Sequence, residues 1–465
     1  MTKSAQLESL RSEIADITLE IVDLVGRRNS LAEEVGREKE RLGSALVNRE
    51  VEKRLRAAVI AQCEQKGVDT NFGLRLLNQL MAESIRVQRK RTKQQLALDA
   101  HYIFVKAKEM ERAGKEVIHL EVGEPDFGPP DAVKRAMMEA VSKGHTRYTQ
   151  SIGIPELRTK IANLLGLQYR REITPEEVVI TVSGKYALHL SMAATLRPGD
   201  EVILIDPSFP AYAASVRALN MRPVHISTKL EDNWDLDLSL VEDTLNESTR
   251  MIILNSPSNP TGKVLDKETL VELNDLAVKN NIIILSDEVY SKFSLKPHSS
   301  ILQVPGANHI VAKSFSKPYA MTGFRLGYAI ADSDIIKRMA AIQYRQVTCV
   351  PEFIQHAGIA ALECENDVSR NASIIESRLK TASRLLRPLP LTFTESEGGF
   401  YIFLRMANDA MSGLEFADRL LSEKGVCVQP GVLYGSLFSS YFRISVCASD
   451  EELVEAIARI GRILD

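Results

Sequence analysis

At 465 residues the chain is too long for one ordinary hydrophobic core, and two or three domains are expected. Its 45% hydrophobic and 26% charged content is that of a globular protein, and a formal charge of −3 gives no general pull toward nucleic acid or anionic membranes. The five cysteines are scattered without a CxxC pair, which argues against a disulfide framework or a zinc site; with no signal-peptide core and no membrane-length apolar run, a cytoplasmic protein is expected.

The chain opens with Leu7, Leu10, Ile14, Ile17, Ile21, Leu24, Leu31, Val35 and Leu42, spaced by threes and fours. This pattern predicts one long amphipathic helix with a heptad-like seam. Position 28, where the seam calls for an apolar residue, holds Arg28. A buried, unpaired guanidinium is costly, so Arg28 needs a carboxylate partner or an anionic ligand, unless it snorkels at a helix seam. Lys39 follows about three turns later and projects from nearly the same face. Arg11 sits roughly 100° away around the helix, so a pocket using both arginines would draw Arg11 from a second copy. Two shorter helices follow, from about Asn48 to Lys66, ended by Gly67, and from about Phe72 to Arg91. Asn48 shares a face with Glu52, and Ser84 with Gln88.

The stretch from Leu7 to Arg91 resembles the all-helical chorismate mutases. The resemblance implies an intertwined dimer in which Arg11 of one copy joins Arg28, Lys39, Glu52, Ser84 and Gln88 of the other around chorismate. Asn48 stands where that family often has aspartate, and Val51 where some members have another arginine. The residue types suit the chemistry: two substrate carboxylates call for arginine and lysine, and a pericyclic rearrangement needs no nucleophile. Such an enzyme selects the folded substrate and stabilises charge on its ether oxygen, for which Lys39 and Gln88 are the expected donors, with Glu52 on the hydroxyl. A helical dimerisation or DNA-binding module is the competing reading, but the cations are spread along the seam and form no recognition helix.

A basic junction, Arg86 to Lys93, has no Gly/Ser/Pro linker and predicts a stiff joint, with domains at 1–92 and 93–465. Beyond it, five apolar runs read as strands: 178–182, 202–205, 251–254, 282–285 and 309–312. Helical patterns lie between most of them, which predicts a mostly parallel sheet covered on both faces, a large domain at about 135–345 and a smaller α/β domain from the flanks. Polar motifs follow each run, at the strand ends where ligands gather in such sheets. They are Ser183-Gly184-Lys185; Asp206-Pro207-Ser208-Phe209; Asn255 through Asn259 to Gly262; Ser286-Asp287-Glu288-Val289-Tyr290; and Ser314-Phe315-Ser316-Lys317 through Arg325.

This ordered set resembles the fold-type I, aspartate-aminotransferase-like enzymes that hold pyridoxal phosphate on a lysine. The resemblance makes Lys317 that lysine and Asp287 the partner of the pyridine nitrogen. Asn259 and Tyr290 would serve the ring oxygen, and Phe209 would stack on the ring. Ser183, Gly184, Lys185, Ser314 and Arg325 would hold the phosphate, with Tyr148 reaching that of a neighbouring subunit. On the substrate side it implies Gly123 as a backbone contact, Arg443 as the grip on the α-carboxylate, and Arg345 as a candidate for a distal carboxylate. The expected partners are chorismate, an amino acid and a 2-oxo acid in a homodimer or higher oligomer, without nucleic acid, membrane or metal. A bifunctional enzyme carrying prephenate to arogenate is favoured. The alternatives are an aspartate or aromatic aminotransferase with a regulatory mutase domain, and a non-catalytic sensor that binds pyridoxal phosphate.

Overall fold

The structure, a computed structural model, describes residues 3–42, 48–89, 102–306, 308–407 and 411–464. It divides into two compact units: residues 1–97 with the short segments 198–200 and 220–222, and the remainder of the chain. The expected boundary between residues 92 and 93 falls outside the described residues.

The first unit is helical. Its helices are α1 (Lys3–Leu42), α2 (Arg49–Lys66) and α3 (Thr70–Arg89). Asn48 caps α2 by accepting a hydrogen bond from the Val51 amide, and Gly67 closes the helix in the left-handed conformation at φ 66°. Helices α2 and α3 approach closely because position 73 is glycine, where a Cβ would overlap Cys63 Sγ. Between them the buried Arg56 donates to Asn78 Oδ1 at 2.8 Å.

Helix α1 is single and continuous, as its periodicity predicts, but its seam is used differently from the expectation. The residues of α1 that lose exposure are Val25, Arg28, Asn29, Ala32, Gly36 and Lys39, while Leu31 and Val35 stay exposed. A straight helix turns every 3.6 residues, so a strict heptad seam drifts by about 20° per repeat and has rotated aside by residue 31. In the first half of α1, Leu7, Leu10, Ile14, Ile17, Ile21 and Leu24 are all at least half exposed.

The second unit is built on two sheets. The larger has the strands β2 (Val178–Thr181), β3 (Glu201–Asp206), β4 (Arg222–Ser227), β5 (Thr249–Asn255), β6 (Ile283–Asp287), β7 (His309–Ser314) and β8 (Gly327–Ile330). Their order is β2-β8-β7-β6-β5-β3-β4. Strands β3, β5, β6 and β7 are parallel neighbours, and β8 runs antiparallel between β7 and β2. The five apolar runs thus become β2, β3, β5, β6 and β7, and one contiguous core packs from this sheet onto its covering helices. The smaller sheet has the order β12 (Gln429–Pro430), β13 (Tyr441–Ser445), β10 (Tyr401–Met406), β9 (Leu391–Thr392), over a second core. A separate two-residue pair joins β1 (Ile118–His119) to β11 (Val426–Cys427) in parallel, just after α4 (Tyr102–Arg112). Among the described residues no helix is long and apolar enough to cross a membrane.

Candidate active sites

Parallel register places the polar residues at one edge of the large sheet. Asn255 at the end of β5 lies opposite Asp287 at the end of β6, and Asp287 lies opposite Ala312, shortly before Ser314 ends β7. Asp287 is buried, and it accepts from the Tyr212 hydroxyl at 2.6 Å and from the Val289 amide at 3.3 Å. Burial pushes its carboxyl up to about 6, against the pull of those two hydrogen bonds. The next residue, Glu288, points elsewhere and pairs with Lys313 of β7 at 2.9 Å, both fully buried. Burial opposes both charges of this pair, but Lys313 keeps the carboxyl below its usual range, and Tyr169 followed by Glu288 keeps the ammonium above its own.

Lys317 leaves β7 on a turn that includes the left-handed residues Ala320 (φ 50°) and Arg325 (φ 56°). Its amine donates to the carbonyl of Gly123. Position 123 requires glycine because a Cβ there would overlap the Tyr401 hydroxyl. Two residues earlier, the carbonyl of Glu121 accepts from Arg443 of β13. The segment Glu121-Val122-Gly123 therefore holds the two cations within about 7 Å of backbone. Arg443 is buried, donates to Asn259 Oδ1 at 2.9 Å, and lies 4.1 Å over the Tyr401 ring. Burial works against its charge, and Tyr434, Tyr401 and Tyr290 more than compensate, so its pKa is raised. Its Nε has no acceptor, and among the described residues no carboxylate pairs with it. A buried guanidinium in that condition is prepared for an anionic ligand.

Around this centre the remaining expected residues take distinct positions. Tyr290 is buried and shares a 2.9 Å hydrogen bond with the Tyr401 hydroxyl. Ser183 caps α7 (Gly184–Thr195), with α5 (Asp131–Ser142) and α6 (Pro155–Tyr169) preceding it, so the amides that open α7 face the same sheet edge. A Cβ on Gly184 would stand 3.1 Å from Ser314 Cβ, so this opening is pressed against the end of β7. The Lys185 side chain is exposed, which leaves its backbone amide as the group that α7 offers. Phe209 is half-buried at the start of α8 (Pro210–Ala218) and meets Tyr212 edge-on. Arg325 is exposed and donates to Thr322 O at 2.6 Å. Tyr148 is 86% exposed, and Arg345 is exposed in the last turn of the helix Ser333–Val347, so neither reaches the centre within its own chain. A cavity of about 460 Å³ opens beside the Lys317 turn, lined by residues that include Phe127, Met137, Thr322, Phe324 and Ile354.

Sequence reasoning did not single out Tyr212 and Tyr401. Tyr212 lies three residues after Phe209, within one turn of α8, and Tyr401 follows a Gly-Gly-Phe string whose glycines signal a close approach of backbone.

In the helical unit, Arg28 is half-buried against α3, donating to Leu80 O at 2.6 Å and to the Ser84 hydroxyl. Burial lowers its pKa. Gln88 packs on α1 at Gly36, where a Cβ would come within 3.0 Å of it, and its buried Oε1 has no donor. Arg28, Ser84 and Gln88 are thus gathered between α1 and α3, with Lys39 half-buried on the same face of α1. Asn48 is exposed and committed to capping, while Glu52 is half-buried one turn later on α2. Arg11 is exposed, about 25 Å along α1 from Arg28, and one chain does not bring them together.

These two sites agree with what the chain is similar to. Residues 115–460 match the family model for aminotransferase class I and II, and residues 10–89 match that for chorismate mutase type II. An aspartate aminotransferase of Pyrococcus horikoshii is 38% identical over 76% of this chain and 93% of its own. A probable aspartate/prephenate aminotransferase of Aquifex aeolicus is 35% identical over 78% of this chain and 95% of its own. The crystal structure of Thermus thermophilus aspartate aminotransferase with maleate superposes with a TM-score of 0.76 at 33% identity, covering 78% of this chain and 96% of that one. The chain belongs to the class I and II aminotransferases and carries a type II chorismate mutase domain ahead of the aminotransferase. It is an enzyme of both kinds, isomerase and transferase.

Proposed function

We propose that this enzyme rearranges chorismate to prephenate and transfers an amino group from glutamate or aspartate to prephenate, giving arogenate. The observation that carries the transfer is one three-residue segment that accepts from both groups: the amine of Lys317 on Gly123 O, and the buried Arg443, with which no carboxylate pairs among the described residues, on Glu121 O. The fusion to a mutase domain favours prephenate as acceptor.

The family depends on pyridoxal phosphate, and the residues present fit that group. Asp287 is a buried carboxylate with no cationic partner among the described residues, suited to a protonated ring nitrogen, and Gly123 and Gly184 keep space that a Cβ would fill. Asn259 and Tyr290 would hold the ring oxygen and Phe209 the ring face. Ser183, Gly184, Lys185, Ser314 and Arg325 would hold the phosphate, together with Tyr148 of a second copy. When bound, the cofactor supplies a carbonyl for the amino group and an electron sink for the substrate's Cα. Lys317 would hold the cofactor, and its amine would serve as the base that moves the proton at the substrate's Cα. Arg443 orients the substrate through its carboxylate. Gly123, with Tyr401 packed on it, closes the pocket beside the amine.

In the mutase domain, Arg28 and Lys39 would grip the carboxylates with Arg11 of a second copy. Gln88 offers its amide toward the ether oxygen, Ser84 positions Arg28, and Glu52 takes the hydroxyl. The unpartnered first half of α1 supports a homodimer, because several exposed apolar residues on one face of a helix call for a matching surface.

A second reading, exchange between aspartate and 2-oxoglutarate, is favoured by the aspartate aminotransferases among the relatives, with Arg345 crossing to a second copy's substrate. One experiment separates them: amino transfer from glutamate to prephenate, phenylpyruvate and oxaloacetate, compared by kcat/KM. The proposal expects prephenate to lead by at least about tenfold. A lead for oxaloacetate that Arg345→Ala abolishes establishes the second reading instead, and transfer to none of them overturns both readings.

A further inference from the structure

Five cysteines without a CxxC pair give no sign of a metal site in the sequence, yet the fold assembles one set of mixed ligands away from the reacting groups. The parallel pairing of β1 with β11 sets His119 directly opposite Cys427. Cross-strand partners point to the same side, and the Glu121 carboxylate reaches the same imidazole from the bend after β1. The ligand atoms of His119, Glu121 and Cys427 lie within 4.8 Å of one another. Glu121 and Cys427 are buried, and the imidazole is three-quarters buried.

We propose that His119, Glu121 and Cys427 form a binding site for a zinc-class divalent cation that holds the Glu121 backbone beneath Arg443.

Three observations support this. The first is an orphan: Glu121 Oε1 meets His119 Nδ1 at 2.7 Å, but the buried Oε2 has no donor. A buried carboxylate oxygen without a partner calls for a cation or a donor. The second is the ring's far side. His119 Nε2 lies 3.0 Å from Glu111 Oε1 on the last turn of α4, and Glu111 is itself held by Lys108 at 2.8 Å. A histidine that ligates a metal through one nitrogen characteristically donates its other N–H to a carboxylate, which fixes the tautomer. The third is ligand chemistry. One imidazole, one carboxylate and one thiolate suit Zn²⁺ or Co²⁺ and not the all-oxygen shells of Mg²⁺ or Ca²⁺, and three ligands leave one tetrahedral position for water. Coordination by Cys427 displaces the thiol proton.

The site touches no reacting group. It pins β1 to β11 and thereby the Glu121 carbonyl, which accepts from Arg443. Its expected effect is on the position of Arg443, and so on KM for the amino donor more than on kcat.

The test uses the full chain loaded with pyridoxal phosphate, dialysed against chelator and titrated with Co²⁺. A second cluster, His145, Glu352 and His356, contains no sulfur, and all three of its residues are half-exposed. The titration is therefore run in His356→Ala as well as in the unsubstituted protein. The proposal expects one Co²⁺ per chain with tetrahedral visible bands and a thiolate-to-cobalt charge-transfer band, both retained in His356→Ala and lost in Cys427→Ser and His119→Gln. Glu111→Gln should weaken binding by about tenfold or more. Absence of the thiolate band, or its survival in either Cys427→Ser or His119→Gln, overturns the site. The cofactor's visible absorbance and far-ultraviolet dichroism report whether each variant is folded. Should Cys427→Ser misfold, His119→Gln decides alone, since His119 lies at the partly exposed edge of the cluster.

Discussion

Asp287 is a carboxylate whose surroundings push it toward neutrality, and this gives the cofactor-free protein a pH signature. Its folded pKa of about 6 exceeds the reference 3.8. Below the reference value both states are protonated and the burial costs nothing. As pH rises through the interval the unfolded chain ionises first, so folded stability falls, by roughly 3 kcal/mol in all, and then levels above the folded pKa. The melting temperature of cofactor-free protein should therefore drop relative to Asp287→Asn between about pH 4 and 6.5, and the drop should shrink once a cationic ring occupies the site. A constant difference would mean that Asp287 is solvated. Tyr212 is the other half of this arrangement, because its 2.6 Å hydrogen bond favours the ionised carboxylate. Tyr212→Phe should weaken cofactor binding by about tenfold, read by absorbance titration, and should move the acid limb of the kcat/KM profile to higher pH.

Helix α1 shows how one element serves two packing tasks. Its second half meets α3 through Arg28, Ala32 and Gly36, while the same face of the first half presents Leu7, Ile14, Ile17 and Ile21 to solvent. The heptad pattern was legible, but which residues pack within the chain was not. A repeat of 3.5 on a helix of 3.6 separates the two stripes only by slow drift. The paired substitution Ile14→Asp with Ile17→Asp should lower self-association in sedimentation and cut chorismate consumption at least about tenfold. Amino transfer by the same preparation should persist. Unchanged chorismate consumption would show that this face is not an interface.

Across the whole molecule, the sequence was most informative where structure is local. Five apolar runs became five strands of the large sheet, and the polar residues after them lie at its ligand-bearing edge. What escaped was non-local or masked by other signals. Strand β4 is half-buried and carries polar residues, β8 is only four residues and begins just after the lysine motif, and β1 finds its partner 308 positions away (427 − 119). The partners that turn motif residues into a site, Tyr212 for Asp287 and Tyr401 for Arg443, are set by packing at the level of single side chains, which periodicity does not encode. The two chemistries should be separable in one polypeptide. Arg28→Ala should abolish chorismate loss, as followed in the ultraviolet, while leaving amino transfer intact, and Lys317→Ala should do the reverse. A fall of both rates in either variant would mean that the sites depend on one another.

The buried Lys313–Glu288 pair has a consequence for chemical labelling. Strand β7 and its following turn carry two amines four residues apart, and Lys313 is locked as an ammonium ion beside its carboxylate. An ammonium has no lone pair to offer a carbonyl. Borohydride reduction of the cofactor-loaded protein should therefore tag a single peptide, the one containing Lys317. Glu288→Gln should begin to release the second amine as a competing acceptor of the label.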